Sequence, residues 1–433
     1  MMGRLDMGAR RARPTRTHLR TSDVRGLAHL ATEATAGVAD IAEGVHQSVL
    51  QTLGVTATRG RATAGITGLV YRSVRAITRL VGAGLDRALG HLETTMATAD
   101  DTVPGSPQRE AVLAALNGLI GDRLDEADSP LATQMTLRHD GIALDLRAPV
   151  VVPGATNKIV LLVHGLCMND LRWRSRRRGV TIDHGATLAA AFRYTPLYLR
   201  YNSGLHVSEN GQQLSELLET LIARWPIRVD DLTVVAHSMG GLVIRSAVHQ
   251  AGQHGQRWPS CLRRMVFLGT PHHGAPLERA GNRIDVILES TPYTAPFAAI
   301  GRLRSAGITD LRYGHVVADD WKGRDRFRRL PDTRSIVPLP SAVACYTIAA
   351  TRAARLRPLA DRLIGDGLVP VPSALGQHAD PARCLAFADD AQWVAHRTNH
   401  MQLLSSGAVG RRLVSWVAVG QERARAAPAR SRP

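Results

Sequence analysis

From Lys158 onward the sequence keeps returning to short apolar runs: "KIVLLVHG", "TPLYLRYN", "DLTVVAHS", "RMVFLGTP", "AVACYTIAA" and "CLAFA", with helical stretches between them. A strand apolar at consecutive positions is buried on both faces, and a helix between two such strands carries the chain back across the sheet. The pattern therefore predicts an α/β fold with a mostly parallel central sheet and helices on both faces. Just upstream, "MTLRHDGIALDL" alternates about Asp140-Gly141, as a β-hairpin would. There is no internal repeat.

At 433 residues the chain is long enough for one large core and an additional module. Residues 1–22 are basic and poor in large apolar side chains, and are expected to form a disordered tail. Residues 23–125 read as a helical N-terminal extension. Its clearest segment is "GITGLVYRSVRAITRLVGAGLDRALGHL", in which Ile66, Leu69, Val70, Val74, Ile77, Leu80, Val81, Leu85 and Leu89 recur at steps of three and four. Arg72, Arg75 and Arg79 lie on a different face. The simpler reading is a helix docked on its own globular domain with a solvated basic back; the alternative is peripheral contact with an anionic membrane or lipid granule. After the linker-like "DDTVPGSPQ", "REAVLAALNGLIGDRL" reads as another helix. The main domain is expected over 126–420, with 282–340 as a cap or lid insertion and 421–433 as a disordered tail.

Lys and Arg number 54 against 37 Asp and Glu, a formal charge of +17. No aromatics interleave with the basic residues and no zinc, helix-turn-helix or RNP pattern appears, so nucleic acid is not the expected partner. Cys167, Cys261, Cys345 and Cys384 are scattered, form no CxxC, and are expected to be buried free thiols. The basic N-terminus is not followed by an apolar segment of signal-peptide length, and no apolar stretch reaches the ~18 residues of a membrane span. A soluble, cytoplasmic protein without metal or cofactor is the expectation.

Within this frame "VVAHSMGG", Val234 to Gly241, ends a buried strand on a serine and leaves it through a helix. Small residues at Ala236, Gly240 and Gly241 let strand and helix backbones approach closely, which forces Ser238 onto a strained, exposed corner. This is the nucleophile elbow, usually GxSxG, with alanine in place of the first glycine. Taken alone, AxSxG is matched by any N-cap serine before a helix; three companions sharpen it. In "LLVHGLCMND" a strand ends in His164-Gly165, where the backbone N–H of Leu166 would join that of Met239 as an oxyanion hole. In "IGDGLVPVPSALG", Asp366 occupies a Gly-Asp-Gly turn and is placed ahead of Asp361, Asp380, Asp389 and Asp390, whose surroundings read as solvated surface. In "HRTNHMQLLSS", His400 lies beyond the last strand and immediately before a helix, with His396 as its rival. The spacing of those two histidines resembles a metal clamp, but no third ligand or HExxH glutamate accompanies it. His164 is read as structural, and His272-His273 as a loop lining the cleft.

Ser238, Asp366 and His400 thus follow one another as nucleophile, acid and base, the order of the α/β-hydrolase fold. The sequence resembles the bacterial serine esterases and lipases of that superfamily, particularly those similar to the GPI inositol-deacylase catalytic domain. The resemblance rests on "VHGLCMNDLRW", "LYLRYNSGLHVSENG", "VVAHSMGGLVIRSA", "FLGTPHHGAPLERAGN", "RSAGITDLRYG", "DGLVPVPSALG" and "NHMQLLSS", and spans roughly Leu131 to Val417. It implies hydrolysis of a small-molecule or lipid carboxylic ester by a Ser-Asp-His triad, with no cofactor; the same acyl-enzyme passed to another acceptor would make an acyltransferase.

Overall fold

The computed structural model describes Asp23 and residues 106–177, 179–275, 305–324, 332–355 and 365–426. The expected tail over 1–22, the amphipathic helix over 66–89 and most of the expected cap, 282–304 and 325–331, lie outside the described residues. The chain divides into two units, Met1–Glu110 and Ala111–Pro433. In the first, the Arg109 guanidinium forks onto the Asp23 carboxylate. The second holds the sheet.

Its elements begin with helix α1 (Pro107–Glu126), which starts in the first unit, the hairpin β1 (Thr136–His139) and β2 (Ile142–Ala143), and strand β3 (Lys158–Val163). A second hairpin, β4 (Arg174–Arg177) and β5 (Val180–Asp183), leads into α2 (His184–Phe192), β6 (Thr195–Arg200) and α3 (Val207–Arg224). Then come β7 (Asp231–His237), α4 (Met239–Gln253), β8 (Leu262–Leu268) and α5 (Ala306–Tyr313). The chain closes with β9 (Ala344–Ala350), the single turn α6 (Val371–Ala374), β10 (Gln392–Ala395) and α7 (Gly407–Ala426).

Eight strands form one sheet in the order β10-β9-β8-β7-β3-β6-β1-β2. The six from β10 to β6 run parallel, while β1 joins β6 antiparallel and turns back into β2. This is the α/β-hydrolase arrangement, and it puts the ends of β3, β7, β8, β9 and β10 along one rim. The two central strands have no exposed position: β7 is buried at every residue, β3 at all but its first. Alternate side chains serve opposite faces. Val160, Leu162, Val235, Val266, Leu268 and Ile348 join Leu188 of α2 and Leu413 and Trp416 of α7 in one core. Helices α3 and α4 pack on each other, and α4 lies against β7 and β3.

Two expectations are corrected here. "CLAFA" does not enter the sheet. Leu385 N–H bonds to the Gly376 carbonyl at 2.9 Å, and Phe387 buries its ring edge-on against Phe267, so the apolar run is satisfied by loop packing. The strand paired to β9 is "QWVA", whose half-buried edge position gives it no continuous apolar signature. The hairpin at Asp140-Gly141 forms as expected, with positive φ at both turn residues. Of the cysteines, only Cys167 and Cys261 are buried; Cys345 is half-buried and Cys384 exposed.

Helix α7 continues past 420 to Ala426. Helix α1, expected to belong with the N-terminal extension, is mostly part of the sheet's unit, because it buries Ala115, Leu119 and Leu124. Its Gly118 lies so close to Cys167 that a Cβ there would sit 2.9 Å from that residue's backbone. The helix kinks at Ile120 (φ −138°), and side chains take up nearby carbonyls: Ser305 Oγ donates to Gly118 O at 2.6 Å and Asn202 Nδ2 to Gly121 O at 2.9 Å.

Gly240, in the first turn of α4, is where strand and helix come closest. A Cβ there would lie 2.5 Å from the His164 carbonyl oxygen and 2.7 Å from that of Val163. Backbone atoms of a buried strand have little room to yield, so Gly240→Ala should lower unfolding free energy by about 1–3 kcal/mol, measured by urea denaturation. Unchanged stability would show that the contact relaxes freely.

Candidate active site

Strand β7 delivers Ser238 to the rim. Its N–H donates to the Leu268 carbonyl at 2.9 Å, continuing the pairing with β8 to the last possible residue. The backbone then turns sharply: Ser238 has φ 54° and ψ −126°, a conformation that a residue with a Cβ adopts only under constraint. Gly165 lies against it, since a Cβ on Gly165 would be 2.9 Å from Ser238 Cβ. Leu166, the next residue, is thereby brought beside the elbow, and Met239 is the first residue of α4.

Two buried rings brace this loop. His164 stacks on Tyr201 with centroids 4.2 Å apart, its Nδ1–H donates to the Gly165 carbonyl at 2.9 Å, and Tyr201 Oη–H donates to the His164 carbonyl at 2.8 Å. Burial pushes the His164 imidazole down to about 3, so it stays neutral and serves as packing. Cys167 follows with φ 56°; its N–H is held by Ser203 Oγ at 3.0 Å and burial raises its thiol to about 12, which removes it as a nucleophile.

Asp366 sits where glycines are required on both sides. Gly365 has φ +52° and Gly367 φ +104°. The turn folds two amides back onto the carboxylate: Oδ1 accepts from Leu368 N–H at 2.9 Å and Val369 N–H at 2.8 Å. The other oxygen, Oδ2, faces His400 Nδ1 at 2.7 Å, and both side chains are almost wholly buried. A second bond joins the same residues, from His400 N–H to the Asp366 carbonyl at 3.2 Å. Since a carboxylate accepts, Nδ1 carries the proton and Nε2 is the basic nitrogen.

His400 is also tied to the serine loop. His237, the residue before Ser238, donates from Nε2 to the His400 carbonyl at 3.1 Å, with the two rings 4.6 Å apart. Burial holds His237 neutral, and the charges of His400 and Arg172 act in the same direction. Gly269, just beyond β8, leaves room for the His400 ring: a Cβ there would be 3.2 Å from Nδ1 and Cε1. From below, His184 Nε2 donates to Leu403 O at 2.9 Å and anchors the turn after His400.

The structure thus brings Asp366 and His400 into contact and ties them through His237 to the strand that ends at Ser238, with Gly165 and Met239 flanking that corner. The rivals lie elsewhere. His396, Asp380, Asp389 and Asp390 are exposed, and Asp361 is outside the described residues. His272-His273 does not line the cleft beside His400. His272 is buried against Phe267 and Phe387, and His273 bonds to Gly376 O at 3.0 Å, so the pair packs inward on the loop after α6. His237 was missed by the sequence reading, although its place directly before the serine was the available signal. A cleft of about 760 Å³ opens beside the Asp366-His400 pair, with Arg172, Ser175, Arg352 and Gln402 on its walls.

The sequence matches the model of one family, described as a domain of unknown function (DUF7379), over residues 145–291. No curated protein matches it. Among solved structures it is similar to the mature form of Bacillus licheniformis lipase BlEst2, at 15% identity and a TM-score of 0.36, with 66% of this chain and 98% of that one covered. Aspergillus fumigatus lipase B aligns at 11% identity and TM-score 0.37, over 88% of this chain and 81% of its own. Staphylococcus hyicus lipase aligns at 13% and 0.35, over 62% and 96%.

The buried imidazoles set an acid limit on the fold. An unfolded histidine takes up its proton near pH 6.5, whereas burial lowers His164 to about 3 and His273 to about 4, and holds His237 and His272 well below the usual range. Between those values the unfolded chain binds more protons than the folded one, so this stability is complete above about pH 6.5 and is lost as the pH falls. Urea unfolding should show a loss that begins below about pH 7 and steepens toward a limit of roughly 1.4 kcal/mol per pH unit for each fully buried ring below about pH 5.5. A flat profile over that fall in pH would contradict the buried, neutral assignment.

Proposed function

We propose that the protein hydrolyses carboxylic esters, of small molecules or lipids, through an acyl-enzyme on Ser238. The observation that carries this reading is the 2.7 Å hydrogen bond between Asp366 Oδ2 and His400 Nδ1, buried and tied through the His400 carbonyl to His237, the residue before a serine held at φ 54°.

Each part then has one task. His400 Nε2 removes the Ser238 Oγ proton as the oxygen attacks the ester carbonyl carbon. Asp366 holds the ring in the productive tautomer and stabilises the imidazolium. Two amides on its other oxygen fix the carboxylate in place for this. The backbone N–H groups of Leu166 and Met239 donate hydrogen bonds to the carbonyl oxygen as negative charge develops on it, and such donors are effective because they need no reorganisation as the charge forms. His400 returns its proton to the departing alcohol, water adds to the acyl-serine with the same ring as base, and the acid leaves. His237 takes no part in bond making; it is a positioning residue that ties the loop of the base to the loop of the nucleophile.

A neutral alkyl fluorophosphonate should label one serine per chain, identified by peptide mass as Ser238, and Ser238→Ala should abolish both labelling and turnover of p-nitrophenyl esters. Asp366→Asn should lower kcat by about 10³–10⁴-fold, since the ring loses its correct tautomer. Absence of labelling in the wild type, or labelling that survives Ser238→Ala, overturns the proposal.

A further inference from the structure

The cleft beside His400 has an unusual charge balance. Its walls carry three arginines, Arg172, Arg174 and Arg352, and one carboxylate, Asp366, which is already committed to His400. Arg174 has two acidic neighbours of its own, Asp183 at 3.5 Å and Asp140 at 3.7 Å. Arg172 and Arg352 have no ion pair or side-chain hydrogen bond among the described residues. For Arg352, which is exposed, water serves.

Arg172 is different, because it is half-buried and burial lowers the affinity of its guanidinium for its proton. A guanidinium withdrawn from water without a partner is costly, and such a group is kept where a ligand supplies the missing charge. Its position is also fixed. It lies in the single turn Asp170–Trp173, held at one end by Arg200 on Asp170 at 2.5 Å and at the other by the fully buried ring of Trp173. It lines the same cleft as His400. Beside it on the cleft wall, the Ser175 hydroxyl is buried with no hydrogen-bond partner among the described residues, and rotation about χ1 would turn it toward an acceptor. A planar fork, a second cation and a free hydroxyl around one void suit a carboxylate or a phosphate.

From this arrangement we infer that the cleft beside His400 binds an anionic oxygen group, carboxylate or phosphate, carried on the alcohol half of the ester substrate. Arg172 is its principal partner, with Arg352 and Ser175 at its sides. The alcohol half is indicated because the void is lined by His400, which hands the proton to the leaving oxygen, and not by Ser238, which keeps the acyl group. The inference rests on the proposed ester hydrolysis and adds a substrate class to it. It makes Arg172 a specificity residue, since a site built to pair a charge rejects the uncharged analogue.

The test uses the full chain in two arms, one independent of turnover. In the first, Ser238→Ala protein is titrated by calorimetry with glycerol 3-phosphate, glycerate, inorganic phosphate and glycerol. The first two should bind, glycerol should not, and Arg172→Gln should weaken binding of the anions about 10–100-fold, the loss typical of a charge-assisted hydrogen bond. Inorganic phosphate binding as tightly as glycerol 3-phosphate would place the specificity in the free ion and overturn the alcohol assignment. In the second arm, kcat/KM is compared for butyrate esters of glycerol 3-phosphate, glycerate and glycerol. The preference for the anionic esters should fall about 10–100-fold in Arg172→Gln, recover in part in Arg172→Lys, and fall less in Arg352→Gln, an exposed position where folding is not at stake. No anion binding to the Ser238→Ala protein, or an anionic-to-neutral ratio near one in the wild type, overturns the inference even where fluorophosphonate labelling succeeds. Failed labelling with intact anion binding overturns the esterase reading instead.

Discussion

Where α4 leaves β7, Gly240 stands so near the last carbonyls of β3 that no side chain fits between them. The consequence reaches in two directions. Pressing the helix onto the neighbouring strand bends the chain at Ser238 into its φ 54° corner, and it draws the loop after β3 against the same corner. The proposed nucleophile and the proposed oxyanion donors are therefore positioned by one packing constraint between two buried backbones. The strain at the corner is tolerated because the flanking strand and helix are buried and leave the turn no other path.

The remaining half of the site depends on polar contacts. Asp366 and His400 come from loops after different strands, and nothing in strand packing alone would align them to hydrogen-bonding distance. Glycines of positive φ on either side of Asp366, two amides folded onto one carboxylate oxygen, and a backbone bond from His400 do this work. His237 then couples the two halves through the His400 carbonyl. Burial in such a network keeps its members oriented and its hydrogen bonds strong.

The parts legible in the sequence were those with a local cause. Continuous apolar runs announced β3, β6, β7, β8 and β9, and Gly-Asp-Gly announced a tight turn around an acid. "CLAFA" misled because apolar continuity reports burial, and Phe387 achieves burial in a loop packed on Phe267; β10, with Gln392 and Trp393 only half covered, gave no such run. His272-His273 looked like polar residues presented to a cleft, yet both are turned inward by partners distant in the chain, Arg245 near the first and Gly376 on the second. Arg172 could not have been singled out from its arginine-rich surroundings, because its distinction is a half-buried place with no ion-pair partner among the described residues, which is a tertiary property.

Helix α1 carries a lesson of its own about modularity. Its Gly118 backs directly onto the loop that holds Gly165 and Leu166, and its carbonyls are capped by Asn202 and Ser305 from two other parts of the sheet's unit. A natural exchange of N-terminal segments between related chains would therefore need its crossover upstream of Ala111. A junction placed at the β1-β2 hairpin would strip the wedge from behind that loop, so inheritance of this helix travels with the geometry of the rim.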